Sequence, residues 1–143
     1  IFGISIASTN KQHKSIKNEI LDILTSFYLF EKAHLKNSYY ELNISCPNTI
    51  KSLTFNQENL ESLLKALDSL KISKPVFVKM PIDQSENETL KLLTTIDKSS
   101  VSGVIFGNLT KDKNNQDVNS QDKIAWQKLQ GNLSGKQTFH RSN

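Results

Sequence analysis

Three polar residues, Asn43, Lys79 and Asn108, close short apolar runs that read as strands. In parallel α/β architectures ligands bind at the carboxyl ends of the strands, so polar groups placed there converge on one pocket. Any one of them could simply enter solvent; three in equivalent positions argue for convergence. The run ending at Asn43 leads directly into Ser45, Cys46, Pro47 and Asn48, a loop of short polar and nucleophilic side chains. A lone cysteine is often a small buried hydrophobe, and its reference pKa of about 8.5 leaves it mostly protonated near neutrality. A loop thiol at a ligand face, held by the following proline, is equally suited to proton transfer or nucleophilic attack. The residues alone leave both readings of Cys46 open.

These groups need strands to carry them and helices to space the strands. The stretch Ile1 to Ala7 is apolar and reads as a strand. Apolar positions 16, 20, 23, 24, 27 and 30 recur with helical spacing over about Ser15 to Leu35. A strand is expected at Tyr39 to Ile44. It is followed by a helix carrying Leu60, Leu63, Leu64, Leu67 and Leu70 on one stripe, with Asn56 as N-cap and Glu58 in the first turn. Pro75 to Met80 is β-branched and aromatic, a short buried strand. Ser85 and Glu88 have the capping-box form ahead of Leu90, Leu93 and Ile96, which predicts a helix to about Lys98. Gly103 to Asn108 forms the fourth strand. A polar loop over 109–123 and a short helix near Ile124–Leu129 follow. Strands alternating with helices in units of this size argue a parallel sheet, either doubly wound or a (β/α)8 barrel. A barrel takes about 250 residues, so four strands in 143 residues amount to half of one.

Composition narrows the function classes. With 143 residues and 36% of them hydrophobic, the chain is one domain or part of one. One cysteine excludes a disulfide scaffold or a thiolate cluster made by this chain alone, and His13, His34 and His140 are too distant in sequence to form a local ligand pair, so no metal site is expected. The 18 basic residues against 14 acidic ones give a charge of +4; all the basic residues but Arg141 are lysines, dispersed along the chain. That is a solvated surface rather than a nucleic-acid face, which leans on arginine and clustering. No apolar run approaches the roughly 20 residues of a membrane span, and the start lacks both a charged leader region and an initiator Met. The chain therefore reads as a piece of a longer, reducing-compartment protein.

Four motifs in fixed order resemble the dihydroorotate dehydrogenase family: Tyr40 to Thr49, Lys74 to Met80, Gly103 to Thr110, and Gly131 to Lys136. The Asn43-Ile44-Ser45-Cys46-Pro47-Asn48 element is the most specific. The resemblance implies an FMN-binding (β/α)8 TIM barrel that oxidises dihydroorotate to orotate in pyrimidine synthesis. It implies that residues 1–143 run from the third strand to the loop after the sixth. On it Cys46 falls at the catalytic base. Asn43, Asn48, Asn108 and Leu109 fall at substrate positions, and an Asn side chain offers the mixed donors and acceptors that the pyrimidine's amide and carboxylate edges require. Ser5, Asn43, Lys79, Gly107 and Gly135 fall at flavin positions, Lys79 as the positive charge beside the reduced ring and the glycines where backbone approaches the cofactor.

The sequence also departs from the family pattern. Ser5 stands where many members carry asparagine, Ala7 where glycine is common, and Leu109 where a hydroxyl residue usually meets the substrate. Cys46 is similar to the soluble branch, whereas Leu133-Ser134-Gly135-Lys136 is similar to the quinone-using branch, so quinone, fumarate and NAD all stand as acceptors. A cytoplasmic location is implied, with peripheral membrane association on the quinone branch, and the family allows a homodimer. Competing readings are a dihydropyrimidine dehydrogenase, which has His where Asn48 stands; a tRNA dihydrouridine synthase, whose arginine-rich RNA face is missing here; and an inactive fragment of such a barrel.

Overall fold

A computed structural model describes residues 1–9, 13, 15–45, 57–107, 109–112, 118, 120–129 and 131–135. The chain runs β1 (Gly3–Ile6), α1 (Ile16–Lys32), β2 (Tyr39–Asn43), α2 (Gln57–Asp68), β3 (Val76–Lys79), α3 (Glu86–Ile96), β4 (Gly103–Ile105) and α4 (Ser120–Lys128). The starts of α1 and α3 have local causes. The Ser15 side chain accepts from the Asn18 N–H at 3.3 Å, and Ser85 and Glu88 form a complete capping box at the head of α3. In α2 the leucine spacing buries Leu60, Leu63, Leu64 and Leu67 on one face.

The four strands are all parallel and lie in the order β1-β2-β3-β4. A doubly wound sheet reverses its strand order at a switch point, whereas a barrel adds each strand beside the last. Sequential order here therefore selects the barrel. Helix α1 packs on α2 and α2 on α3, a single layer against one face of the sheet.

Strand alternation divides the sheet into two faces. Ile6, Tyr40, Leu42, Val76 and Val78 point to the helices and join Ile23, Phe27, Leu60, Leu63 and Leu64 in one core. Phe27 meets Tyr40 edge-on with ring centroids 5.5 Å apart. Each fully buried leucine there stabilises the fold by about 1.5–3 kcal/mol.

Two elements differ from the sequence expectation. Strand β4 stops at Ile105, short of Asn108. Its partner β3 ends against Pro81, which has no N–H to continue the ladder, and the closing bond is Met80 N–H to Ile105 O at 2.9 Å. Helix α4 begins at Ser120 rather than near Ile124, with Asp122 in its first turn. Apolar periodicity could not reveal that start, because Trp126 is buried while Ile124 and Leu129 remain exposed. The expected N-cap Asn56 lies outside the described residues.

Candidate active site

The second face of the sheet carries the chemistry. Residues one step out of phase with the core form three tiers from the amino to the carboxyl ends of the strands. At the base Gly3 is paired with Tyr39, and an added Cβ on Gly3 would sit 2.2 Å from that ring, so a larger residue there would force the ring to move. Tyr39 in turn meets Phe77 edge-on at 5.7 Å. The middle tier aligns Ser5, Glu41, Phe77 and Gly103. The top tier aligns Asn43, Lys79 and Ile105. An aromatic floor thus closes one end, and polar groups collect at the other.

Asn43 and Lys79 are direct partners across β2 and β3, so their side chains leave the same face of neighbouring strands. Both are half-buried. Asn43 Oδ1 accepts from the Ser45 N–H at 3.1 Å and the Ser45 hydroxyl at 3.0 Å, a turn that fixes the side chain and the first residues of the following loop. Oriented this way, the Asn43 amide keeps its N–H donors for a ligand. The Lys79 amine forms no hydrogen bond or ion pair with any described residue. A cation at a strand end with no partner among the described residues is a charge that an electron-rich ligand can meet.

Ser5 stands one tier below, where its hydroxyl donates to Glu41 Oε1 at 2.6 Å. The residue is on the site face, and its donor is committed to a carboxylate that sequence reasoning did not single out. Gly107 and Gly135 both lie in the left-handed region, at φ 114° and 103°, where a side chain is strained. They sit in the segments after β4 and after α4. An antiparallel bridge between Thr110 and Leu133 brings those two segments, and Leu109 with them, together. Cys46, Asn48 and Asn108 lie outside the described residues.

Sequence reasoning also passed over Asp83 and Thr110, which join the loops at this end. Asp83 lies outside every motif quoted from the sequence. Thr110 closed a quoted motif without a role of its own.

The resolved pKa shifts inside the sheet lie elsewhere, toward the amino ends of the strands. Burial raises the Tyr40 phenol, with the Glu31 carboxylate adding to the rise. Burial alone would raise Glu31, yet the Ser73 N–H, the neighbouring Tyr40 hydroxyl and the nearby Lys74 charge hold it below its ordinary value. Glu31 Oε2 accepts from the Ser73 N–H at 3.0 Å, and Lys74 Nζ donates to Leu35 O and Asn37 Oδ1, each at 2.7 Å. This cluster ties the base of the sheet to α1, at the opposite end from Asn43 and Lys79.

Parallel strands in sequential order, one helical layer, and polar side chains gathered at the carboxyl ends define half of an enzyme-type (β/α)8 barrel. The sequence pattern of the family described as dihydroorotate dehydrogenase matches residues 4–142, and the chain belongs to that family. It is 34% identical to the dihydroorotate dehydrogenase (quinone) of Buchnera aphidicola over all of this chain and 42% of that protein. It is 31% identical to the enzyme of the same name from Mannheimia succiniciproducens, over 80% of this chain and 36% of that one. The solved ligand-free type DHODH from Eimeria tenella superposes with a TM-score of 0.70 over 98% of this chain and 41% of that one, at 18% identity. The chain therefore spans less than half the length of these relatives.

Proposed function

We propose that the protein carrying this chain oxidises dihydroorotate to orotate with FMN, and that residues 1–143 supply its barrel from the third strand to the loop after the sixth. The observation that carries this reading is the Asn43–Lys79 pair at the barrel mouth, on the strand that leads into Ser45-Cys46-Pro47-Asn48, in a chain of this family.

The residues fit a flavin. Lys79 offers a positive charge on the half-buried face that no described residue pairs, and Gly107 and Gly135, at positive φ, carry no Cβ to block a close approach. Ser5 stands on the same face, with its hydroxyl engaged by Glu41. FMN, when bound, supplies the hydride acceptor.

The chain's own residues do the rest. Cys46, as thiolate, takes the proton from the ring carbon next to the one that loses hydride; the C–H electron pair left behind closes the carbon–carbon double bond of orotate. Asn43, Asn48 and Asn108 hydrogen-bond the amide and carboxylate edges of the pyrimidine, and Leu109 gives it an apolar contact. Lys79 balances the negative charge that accumulates beside it as electrons arrive.

For the reoxidising step a quinone is the favoured acceptor. The names of the bacterial relatives and the Leu133-Ser134-Gly135 run support it. Peripheral association of a cytoplasmic protein with the membrane would accompany that acceptor. No helix among the described residues is long and apolar enough to cross a membrane. Cys46 in place of serine is the one observation that favours a soluble acceptor, fumarate or NAD.

The test is anaerobic addition of dihydroorotate to the flavin-loaded protein. Bleaching of the yellow absorbance is expected, and its reoxidation by a short-chain quinone, fumarate or NAD identifies the acceptor. A flavin that stays oxidised rules out dihydroorotate as substrate.

A further inference from the structure

Asp83 lies four residues past Lys79, beyond Pro81, and carries none of the roles assigned above. Its Oδ1 accepts from the Thr110 hydroxyl at 2.6 Å and its Oδ2 from the Lys111 N–H at 2.7 Å. Thr110 is only 1% exposed, and all its polar groups are engaged. Its N–H donates to Leu133 O at 2.8 Å, its carbonyl accepts from the Leu133 N–H at 3.0 Å, and its hydroxyl oxygen accepts from the Asp112 N–H at 3.1 Å. Three segments far apart in sequence meet at this one residue: the loop after β3 through its hydroxyl, the segment after α4 through its backbone, and the loop after β4 that carries it.

The chemistry of the junction requires a carboxylate. A threonine hydroxyl has one proton, and the acceptor for that proton decides its orientation. An ionised acceptor shortens and strengthens such a bond, and here it holds a backbone N–H of the same loop with its second oxygen. Leu109 immediately precedes the clamped residue, and Gly135 follows Leu133 by two. These are candidates for the substrate and flavin contacts. Asp83 itself is exposed, so its replacement leaves the hydrophobic core untouched.

With dihydroorotate as substrate and FMN as cofactor, we propose that Asp83 is a positioning residue: its carboxylate, acting through Thr110, sets where Leu109 and Gly135 stand at the mouth of the barrel. Displacement of such groups by about 1 Å can cost up to roughly 100-fold in productive binding and turnover.

The experiment uses the flavin-loaded full-length protein and the variants Asp83→Ala, Asp83→Asn, Thr110→Val and Thr110→Ser. Asp83→Ala and Thr110→Val should each raise the KM for dihydroorotate, and the Kd of orotate read from the flavin spectrum, by about 10- to 100-fold. Asp83→Asn should fall between wild type and Asp83→Ala, and Thr110→Ser should recover most of the loss seen in Thr110→Val. Should Asp83→Ala not fold, Asp83→Asn is read in its place. Wild-type KM and orotate affinity in both the Asp83 and the Thr110→Val variants would overturn the proposal, whatever happens to their melting temperatures. If dihydroorotate leaves wild-type flavin oxidised, the substrate assignment fails, and the FMN Kd of the Asp83 variant decides the clamp: a rise supports it and an unchanged value overturns it.

Discussion

At the scale of single residues, Asn43 shows how a strand end becomes a ligand group. Its oxygen is taken by Ser45, and this one choice orients the amide, starts the next loop and leaves N–H donors for a ligand. Cys46 follows three residues after Asn43 in sequence. Replacing it with alanine removes the proposed base, and the Asn43 turn is made by Ser45 rather than by residue 46. Cys46→Ala should slow flavin reduction by dihydroorotate by roughly 100-fold or more, measured by stopped-flow absorbance under anaerobic conditions. Reduction at the wild-type rate would remove Cys46 from the chemistry. Ser5 teaches the complementary lesson: a hydroxyl on the right face is committed to Glu41 at 2.6 Å, a partner 36 positions away in sequence that no local pattern reveals.

At the scale of elements, the two ends of the strands have separate duties. The carboxyl ends hold Asn43 and Lys79. The amino ends are fastened by Glu31 of α1, Tyr40 of β2, and the Ser73–Lys74 turn. Because the folded-state pKa of Glu31 lies below its ordinary value of 4.5, its ionised form stabilises the native state. That contribution is fully present above about pH 4.5 and is lost as the pH falls through the depressed native value. Glu31→Gln should lower stability at pH 7 by about 1 kcal/mol, the scale of a partly screened charged hydrogen bond. In urea melts followed across pH, the gap between wild type and variant should narrow below about pH 4. A gap that stays constant to pH 3 would show that the carboxylate charge plays no part. Activity at saturating substrate should be nearly unaffected, since the cluster lies at the closed end of the sheet.

At the scale of the whole molecule, four parallel strands present an inner face with a floor, a middle tier and a polar top tier, while a (β/α)8 barrel needs eight strands to enclose that face. On its own the chain leaves Phe2 and Phe106 substantially exposed and Phe77 and Lys79 half-buried. The 143-residue chain by itself should bind FMN weakly, with no saturable quenching of flavin fluorescence at micromolar concentrations. Tight one-to-one binding would show that half a barrel is enough to hold the cofactor.

Sequence by itself determined the local features of this protein. The leucine stripe of α2, the capping box of α3 and the Pro81 stop after β3 act over a few residues, so they are legible from spacing alone. The motif around Asn43 and Cys46 pointed to the family, and the residue 4–142 match agrees with it. Strand patterning left a barrel and a doubly wound sheet open; the family resemblance implied the barrel, and the tertiary structure bore it out, because strand order depends on which strands pair rather than on how each one is patterned. The tertiary structure alone made Asn43 and Lys79 neighbours, tied Ser5 to Glu41, and joined Asp83 and Leu133 through Thr110, one at its hydroxyl and the other at its backbone. Each of those contacts spans more than 20 positions of sequence, and strand pairing and loop contacts bring together residues that no short-range periodicity relates.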